Sequence, residues 1–393
     1  MHRAEPLLEA TRHLDPPFGV VDLDAFERNA RSLEQRAGGT PLRVATKSLR
    51  VRDLVDRALA RPGFCGALAF TLPEALWLSE QHDGICVGYP TADRGALRAL
   101  AADDRARERV AIMVDSVEHL DFVQGVVGTD GPPIRACLDL DASLRLLRGT
   151  VHLGPRRSPL HAPDELRALA EAVAARSRFA LVGVMCYEGQ IAGIPDEAGS
   201  LPRRTAVRLV QRRSAEELRE RRAEAIRRVR EVADLEFVNG GGTGSVESTA
   251  QGAEITDVAA GSGLLCPTLF DHYSSFRAEP AAFFALSVVR RPGPDHATVL
   301  GGGWVASGPP GRDRLPSPWW PERLRMVAAE GAGEVQTPLT GPGARRLAIG
   351  DRVLFRHAKS GELAEHLETV HLVSGGELVG SVPTYRGEGR TFL

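Results

Sequence analysis

The stretch FGVVDLDAFERNARSLEQRAGGTPLRVATK, residues 18–47, contains the structural unit that this chain repeats. It begins with the apolar run FGVVDLD (18–24), continues with a charged helical segment and ends with a second apolar run, PLRVATK (41–47). Each apolar run is short, continuous and ended by a polar residue, which is typical of a strand buried on both faces. The stretch therefore predicts a strand, a helix and a second strand.

The same alternation continues to about residue 270. Further apolar runs follow at CGALAF (65–70), ICVGYP (85–90), RVAIMVD (109–115), IRACLDLD (134–141), FALVGVMCY (179–187) and LEFVNGGG (235–242). Helix candidates lie between them, the longest over residues 203–233. Strands that alternate with helices predict an α/β fold with a parallel sheet, either doubly wound or closed into a (β/α)8 barrel. About eight units within roughly 250 residues favour the TIM-type barrel.

The sequence changes character after about residue 275. Runs such as AAFFALSVVRRPG (281–293) and LETVHLVSGGELVGSVPTYRG (367–387) are β-rich and broken by Gly and Pro turns. This pattern predicts a C-terminal all-β domain. The segment 301–323, rich in Pro, Gly and Trp, predicts a long loop within that domain.

Composition and charge indicate which partners the protein binds and in which cellular compartment it is expected. A formal net charge of −2 over 393 residues gives no support to nucleic acid or an anionic membrane as partner. The arginines of the 203–233 helix alternate with glutamates, which favours an ion-paired, solvated face over a nucleic-acid surface. No apolar run approaches the ~20 residues of a membrane span. The N-terminal segment has no secretion-signal pattern, and the five cysteines show no CxxC spacing, so we expect reduced thiols in a cytoplasmic protein.

Only two lysines, Lys47 and Lys359, accompany 47 arginines. A coding bias toward arginine could leave two such survivors by chance. A lysine amine can form an imine with a carbonyl compound, whereas the arginine side chain cannot be deprotonated in a protein. Lys47 ends the run PLRVATK, a position that in a barrel lies at the mouth where active-site groups collect. We therefore interpret Lys47 as a candidate catalytic amine.

Two glycine-rich turns follow late strands. The turn NGGGTGS (239–245) comes after the strand LEFV, and the turn AGSG (260–263) after the next short strand. Successive backbone N–H groups with Thr and Ser hydroxyls can hold a phosphate, although a flexible turn is the alternative. The spacing matches neither GxxxxGK[ST] nor GxGxxG, which disfavours nucleoside triphosphates and dinucleotides. Tyr187 ends the run FALVGVMCY and is either a residue that contacts a ring or an ordinary core aromatic.

These residues, in this order, resemble a known family. VVDLDAFERNA followed by Lys47, the turn Tyr187-Glu188-Gly189, and GGTGS are similar to the fold-type III pyridoxal-phosphate enzymes, which are alanine racemase-like barrels with a C-terminal β-domain. The strongest similarity is to their D-threonine aldolase and D-serine dehydratase branch. The resemblance implies that Lys47 forms a Schiff base with pyridoxal 5′-phosphate and that Tyr187 lies near this cofactor. The other cofactor-binding candidates are Gly242, Thr243 and Gly244 for the phosphate, Gly261 and Ser262 beside them, and Arg145 for the pyridine nitrogen.

The resemblance also implies how the chain divides. Residues 1–24 would be an N-terminal segment and strand that join the β-domain, residues 25–275 the barrel, and residues 276–393 the C-terminal β-domain. Enzymes of this family place the site between one subunit's barrel and the other's β-domain, so the resemblance implies a homodimer.

The chain departs from this branch at the expected metal site. Members carry a His-x-Cys or His-x-Asp pair for a divalent metal, and here the matching stretch reads His357-Ala358-Lys359. A protonated lysine cannot be a metal ligand and repels a cation. Either Glu362 or another group completes a metal site at His357, or Lys359 replaces the metal as the positive group. His357 could instead be an ordinary core histidine.

The leading hypothesis is a pyridoxal-phosphate lyase that acts on a small β-hydroxy D-amino acid, by retro-aldol cleavage or by dehydration. Lys47, Tyr187, His357 and Lys359 are its candidate catalytic residues. A racemase on the same scaffold is the alternative. It needs a second base on the opposite face of the substrate, often a tyrosine from a partner subunit, and Tyr273 is the candidate. A non-catalytic barrel that binds pyridoxal phosphate, or phosphate alone, is a further alternative.

Overall fold

The computed structural model describes residues 3–393, except for the side chain of Arg148. Its strands are β1 (Phe18–Asp22), β2 (Leu42–Ala45), β3 (Phe64–Ala69), β4 (Ile85–Val87), β5 (Val110–Val114), β6 (Ile134–Asp139), β7 (Leu144–Leu146), β8 (Val151–Leu153), β9 (Phe179–Cys186), β10 (Phe237–Gly240), β11 (Asp257–Ala260), β12 (Ala282–Gly293), β13 (His296–Leu300), β14 (Ser317–Trp320), β15 (Arg325–Met326), β16 (Gln336–Thr340), β17 (Arg352–Arg356), β18 (Thr369–Ser374) and β19 (Glu377–Pro383). Its helices are α1 (Ala4–Ala10), α2 (Leu23–Ala37), α3 (Arg52–Leu59), α4 (Leu72–Leu78), α5 (Arg94–Ala102), α6 (Asp104–Arg109), α7 (Val117–Val127), α8 (Pro163–Ala174), α9 (Gly189–Ala192), α10 (Leu201–Arg230), α11 (Val246–Ala250) and α12 (Ser262–Leu265).

Eight parallel strands close into a barrel in the order β2, β3, β4, β5, β6, β9, β10 and β11, after which β11 pairs with β2. Every residue of β5 and of β11 is buried, because barrel strands are covered by helices outside and by side chains inside. The predicted (β/α)8 barrel is therefore confirmed. The run at 18–24 is not one of its strands, and the short β11 completes the barrel.

Strand β1 belongs to the second sheet. It pairs antiparallel with β12 and parallel with β18, in a nine-stranded sheet that also contains β13 to β17 and β19. The predicted C-terminal all-β domain is confirmed. The loop predicted at 301–323 is only partly irregular, because β14 forms within it and pairs with β17.

Helix α2 connects this sheet to the barrel. The Asp22 side chain caps its first turn, and Gly38, at φ 59°, ends it in the left-handed conformation that glycine tolerates. Asn29, in the middle of the helix, donates from Nδ2 to the carbonyl of Leu264 at 3.0 Å. Arg36, in its last turn, donates to the carbonyl of Thr243 at 2.7 Å. The helix therefore lies directly behind both glycine-rich turns.

Helix α10 carries the arginines that the sequence predicts to form ion pairs with neighbouring glutamates. They pair with glutamates about one turn away, as in Arg212–Glu216, Arg221–Glu217, Arg227–Glu231 and Arg228–Glu224. The predicted ion-paired face is confirmed. Within residues 3–393, none of the helices combines the length and apolarity that a membrane crossing requires.

A buried ion pair holds the seam at which the barrel closes. Arg43 on β2 and Asp257 on β11 meet through two contacts, Nε to Oδ1 at 2.9 Å and Nη2 to Oδ2 at 3.0 Å. The two side chains are only 6% and 4% exposed. Asn239 donates to the same carboxylate at 2.5 Å. Because both charges are buried and satisfied, removal of either partner leaves an uncompensated charge inside the barrel.

We expect Asp257→Ala to lower the free energy of unfolding by about 3–5 kcal/mol, since Arg43 then remains buried without a counter-charge. Urea unfolding followed by circular dichroism measures the change. The matched control is Arg212→Ala, which breaks an exposed pair on α10 and should cost less than about 1 kcal/mol. An equal loss of unfolding free energy in the two variants would show that the Arg43–Asp257 pair stabilises the protein no more than an exposed ion pair does.

Candidate active site

A cavity of about 1450 Å³ opens at the carboxyl ends of the barrel strands. Residues that follow β2, β4, β9, β10 and β11 line its floor, and loops of the β-domain line its wall. Because all eight barrel strands are parallel, groups far apart in sequence converge there. Of the residues singled out from the sequence, those lining the cavity are Lys47, Tyr187, Gly242, Thr243, Gly261, Ser262, Tyr273, Lys359 and Glu362.

Lys47 stands on a short 3-10 turn, Thr46–Ser48, directly after β2. Its Nζ donates to the Tyr89 hydroxyl at 2.7 Å. Burial alone would raise the pKa of Tyr89, but the charge of Lys47, its hydrogen bond and the charge of Arg157 together lower it below the ordinary value. The amine and the phenol therefore form a polar pair in the cavity floor.

Sequence reasoning missed Tyr89. It follows β4 in the turn Gly88-Tyr89-Pro90, which is the same position that Lys47 occupies after β2. The position of Tyr89 at the carboxyl end of an apolar run could have identified it as a candidate. The run ICVGYP contains no other polar side chain that would mark this strand end as part of a site.

Of the two arginines Arg145 and Arg157, Arg157 is the one that lines the cavity. The Arg157 guanidinium lies 5.4 Å from the ring centre of Tyr89 and 4.9 Å from that of Tyr187. Arg145 is not among the described residues that line the cavity. Its Nη2 donates to Asp141 Oδ2 at 2.6 Å, which holds it beside the β7–β8 hairpin. The assignment of Arg145 to the pyridine nitrogen is therefore corrected, because a carboxylate already binds this guanidinium away from the cavity.

The two glycine-rich turns are joined to each other. Thr243 Oγ1 accepts the N–H of Gly263 at 3.0 Å, which links the turn after β10 to the turn after β11. Gly241 needs its glycine, because its φ is 80°. Position 261 also requires glycine, because a Cβ there would lie 2.5 Å from the carbonyl oxygen of Ala45. Gly244 differs from its neighbours: it does not line the cavity, and its backbone packs on Ala192 and Tyr273.

Glu188 orders the first glycine turn from beneath. It is 2% exposed, and its carboxylate accepts the N–H of Gly241 at 2.9 Å and the hydroxyl of Ser245 at 3.4 Å. The Thr249 hydroxyl donates to it as well. Since Glu188 directly follows Tyr187, one short segment supplies both an aromatic wall of the cavity and the support of the turn.

The tyrosine considered as a second base has its hydroxyl engaged. Tyr273 is 3% exposed, its Oη donates to the carbonyl of Ala192 at 3.0 Å, and its ring stacks on Phe270. Burial raises the pKa of Tyr273 well above its ordinary value, and burial likewise raises the pKa of Tyr187. Within its own chain, Tyr273 supports the first glycine turn and has no free hydroxyl to act as a base.

The residues at the expected metal site do not fit a divalent metal. His357 is 4% exposed and is not among the cavity-lining residues, whereas Lys359 and Glu362 are. In the part of the chain that the structure describes, no group of three or more His, Cys, Asp or Glu side chains could hold a metal ion. An ammonium group at the remaining position would repel a cation.

A buried carboxyl lies beneath the Lys47 turn. Glu74 on α4 is fully buried, and it accepts the N–H of Phe70 at 2.7 Å and the hydroxyl of Tyr385 at 2.9 Å. It also contacts the side chain of Thr46, next to Lys47. Burial raises the pKa of Glu74 to about 7, which these hydrogen bonds only partly oppose. Glu74 thus connects the cavity floor to the C-terminal segment.

The order of these parts along the chain matches a known family. The sequence model of the alanine racemase N-terminal domain matches residues 21–251, which is more than half of the chain. The chain belongs to the alanine racemase N-terminal domain family. The resemblance to fold-type III enzymes is thereby confirmed. No curated protein sequence matched the chain.

Solved structures of similar architecture include enzymes of this family. D-threonine aldolase from Filomicrobium marinum has a TM-score of 0.78 and 21% identity, over 95% of each chain. D-threo-3-hydroxyaspartate dehydratase from Delftia sp. HT23 has a TM-score of 0.73 and 19% identity, over 94% of this chain and 97% of the other. Alanine racemase from Corynebacterium glutamicum has a TM-score of 0.57 and 18% identity, over 87% and 90%. At these identities the likeness concerns the fold.

Members of the alanine racemase fold family use pyridoxal phosphate. The donor groups of this cavity fit that cofactor. The Lys47 amine, the hydroxyls of Thr243 and Ser262, and the backbone of Gly242 and Gly261 all line one space. An amine suits an aldehyde, and hydroxyls with glycine amides suit a phosphate.

We expect Glu188→Gln to loosen the first glycine turn without unfolding the barrel. An amide nitrogen replaces one acceptor oxygen, and loss of a buried hydrogen bond costs roughly 1–3 kcal/mol, so backbone amides of residues 240–249 should exchange at least about tenfold faster. Hydrogen exchange measured by mass spectrometry tests this. Glu236→Gln, at an exposed pair with Arg135, is the control that should leave these amides unchanged. Unchanged exchange in Glu188→Gln would contradict the supporting role.

We expect Glu74 to make stability depend on pH. Its pKa in the folded state, about 7, lies above the ordinary value of 4.5, so the folded protein binds the extra proton and loses stability as pH rises through this interval. Glu74→Gln imitates the neutral form, and its stability relative to wild type should therefore increase between about pH 5 and about pH 8.

Thermal unfolding of the two proteins at both pH values provides the measurement. Glu171→Gln, on the exposed face of α8, is the control, and its difference from wild type should be the same at both values. If the Glu74→Gln difference is also constant, Glu74 does not titrate in this interval.

Proposed function

We propose that this protein is a pyridoxal-phosphate-dependent lyase that acts on a small β-hydroxy D-amino acid, by retro-aldol cleavage or by dehydration. The observation that carries the proposal is the Lys47 amine, which lines one cavity with two glycine-rich turns and lies 2.7 Å from the Tyr89 hydroxyl. A primary amine, a phosphate-binding backbone and a nearby proton carrier are the parts that such a site requires.

Each part has a role in this proposal. Lys47 would hold the cofactor through Nζ, and Gly242, Thr243 and Ser262 would hold its phosphate. The cofactor, when bound, would delocalise negative charge that develops at the α-carbon of the substrate. After the amino acid has displaced Lys47 from the cofactor, the free Lys47 Nζ would remove a proton. The proton would come from the β-hydroxyl for cleavage or from the α-carbon for dehydration. Tyr89, hydrogen-bonded to Nζ, would share that proton.

Two observations support a lyase over a racemase. The similar structures with TM-scores of 0.78 and 0.73 are named as an aldolase and a dehydratase, while the alanine racemases score 0.57 to 0.61. A racemase also needs a second base on the opposite face of the substrate, and the hydroxyl of Tyr273 is bound to Ala192. A non-catalytic binding barrel is the remaining alternative, and the lysine, tyrosine and arginine groups gathered around one cavity favour catalysis.

The proposal includes a homodimer and a cytoplasmic location. The family resemblance supports the homodimer. All five cysteines are free thiols, four of them buried, which supports a reducing compartment.

We expect Lys47→Ala to lose the absorbance band at ~420 nm that an imine of the cofactor gives, and with it turnover. Lys47→Arg is the matched variant, because it keeps the charge and cannot form an imine, and it should fail in the same way. Borohydride reduction of the wild-type protein followed by peptide mass spectrometry should place the cofactor on Lys47, one of only two lysines. Covalent cofactor and turnover in Lys47→Ala would refute the proposal.

The products then separate the alternatives. Incubation with a panel of D-amino acids should release an aldehyde for cleavage, or ammonia for dehydration. Deuterium exchange at the α-carbon with neither product would indicate the racemase instead. A cofactor band without any of these reactions would indicate a binding protein, and no band at all a phosphate-binding barrel.

A further inference from the structure

A loop of the β-domain is seated directly on the catalytic turn. Strand β17 ends at Arg356, and the backbone then passes through Gly361, whose φ is 95° and whose Cα packs on the carbonyl of Lys47. Ser360 lies over the second glycine turn, with its hydroxyl 3.4 Å from the carbonyl of Ser262. Because the loop is fixed at both places, Lys359 lies in the wall of the same cavity whose floor contains Lys47.

The exposed Lys359 has one hydrogen-bond partner in the cavity wall. Its Nζ donates to the Ser307 hydroxyl at 2.6 Å, and the N–H of Ser307 donates to Glu362 Oε2 at 2.9 Å. An ammonium has three N–H donors, so two remain for a ligand in the cavity. Ser307 and Glu362 also line this wall. Lys359, the Ser307 hydroxyl and backbone N–H, and the Glu362 carboxylate therefore form one hydrogen-bonded group that presents a positive donor to the cavity.

The charges around this group favour an anionic oxygen over a metal cation. The groups that act on Lys359 are the positive Lys47 and Arg314, the carboxylate of Glu362 and the phenol of Tyr89. His357, the other residue expected to hold a metal, does not line the cavity. A cation would meet repulsion here, and a developing alkoxide would meet attraction.

We propose that Lys359 Nζ donates a hydrogen bond to the β-hydroxyl oxygen of the substrate and stabilises the negative charge that develops there, so that turnover requires no divalent metal. This inference rests on the proposed lyase function. Lys359 then supplies the positive charge that a metal would otherwise supply, while Lys47 acts on the proton. The substrate class follows as amino acids with a free hydroxyl on the β-carbon.

The test compares wild type with Lys359→Met, which removes the charge at similar length, and with Lys359→Arg, which keeps it. Loss of one donor to a developing oxyanion lowers turnover by about 100-fold or more, so Lys359→Met should lose at least that factor on β-hydroxy D-amino acids. Lys359→Arg should recover part of it. The cofactor band and the thermal unfolding temperature should remain those of wild type in both variants.

A substrate without the hydroxyl distinguishes catalysis from support. Deuterium exchange at the α-carbon of D-alanine should fall far less in Lys359→Met than turnover of the hydroxylated substrates does, since no β-oxygen is present for Lys359 to contact. If this exchange falls as far as turnover of the hydroxylated substrates, Lys359 only supports the site and the inference is wrong.

Metal analysis completes the experiment. Wild-type protein should contain no stoichiometric divalent metal, and dialysis against EDTA should leave its turnover unchanged. A bound metal whose removal abolishes turnover, or full turnover by Lys359→Met, overturns the inference and leaves the lyase proposal standing. A wild-type protein with no cofactor band and no turnover overturns both.

Discussion

The site depends on one geometric constraint, that eight parallel strands close into a ring and all end at the same face. Lys47, Tyr89, Tyr187 and the two glycine-rich turns are separated by up to about two hundred residues of chain, and this closure alone brings them together. The seam is therefore as important as any group in the cavity. Arg43 and Asp257 hold it from inside the barrel, and the strand that carries Arg43 ends two residues before Lys47.

The positions of the cavity-lining turns depend on buried residues and a helix that lie behind them. Glu188 lies beneath the first glycine turn, α2 lies behind both turns, and Glu74 lies beneath the Lys47 turn. These groups are buried and hydrogen-bonded to backbone, so each fixes the conformation of a loop and not merely a side chain. Such support explains how irregular segments can hold reactive groups steadily enough for chemistry.

Periodic patterns and strand ends were sufficient to predict the barrel, the β-domain, Lys47 and both glycine-rich turns. They could not predict which arginine faces the cavity. Arg145 lies on β7 and Arg157 in the loop after β8, and the carboxylate of Asp141, four residues before Arg145, binds the Arg145 guanidinium. Ion pairing of this kind depends on side-chain direction, which has no period in the sequence. Tyr89 was missed because a single tyrosine after a strand looks the same whether it packs or reacts.

The scarcity of lysine acquires a practical meaning in three dimensions. Both lysine amines of the chain lie in the wall and floor of one cavity, and every other basic side chain apart from histidine is a guanidinium. Reagents that modify lysine therefore find no lysine side chain outside this cavity. Apart from the N-terminal α-amine, an amine-selective probe small enough to enter the cavity would label only residues of that cavity, and a bound ligand would protect these two side chains.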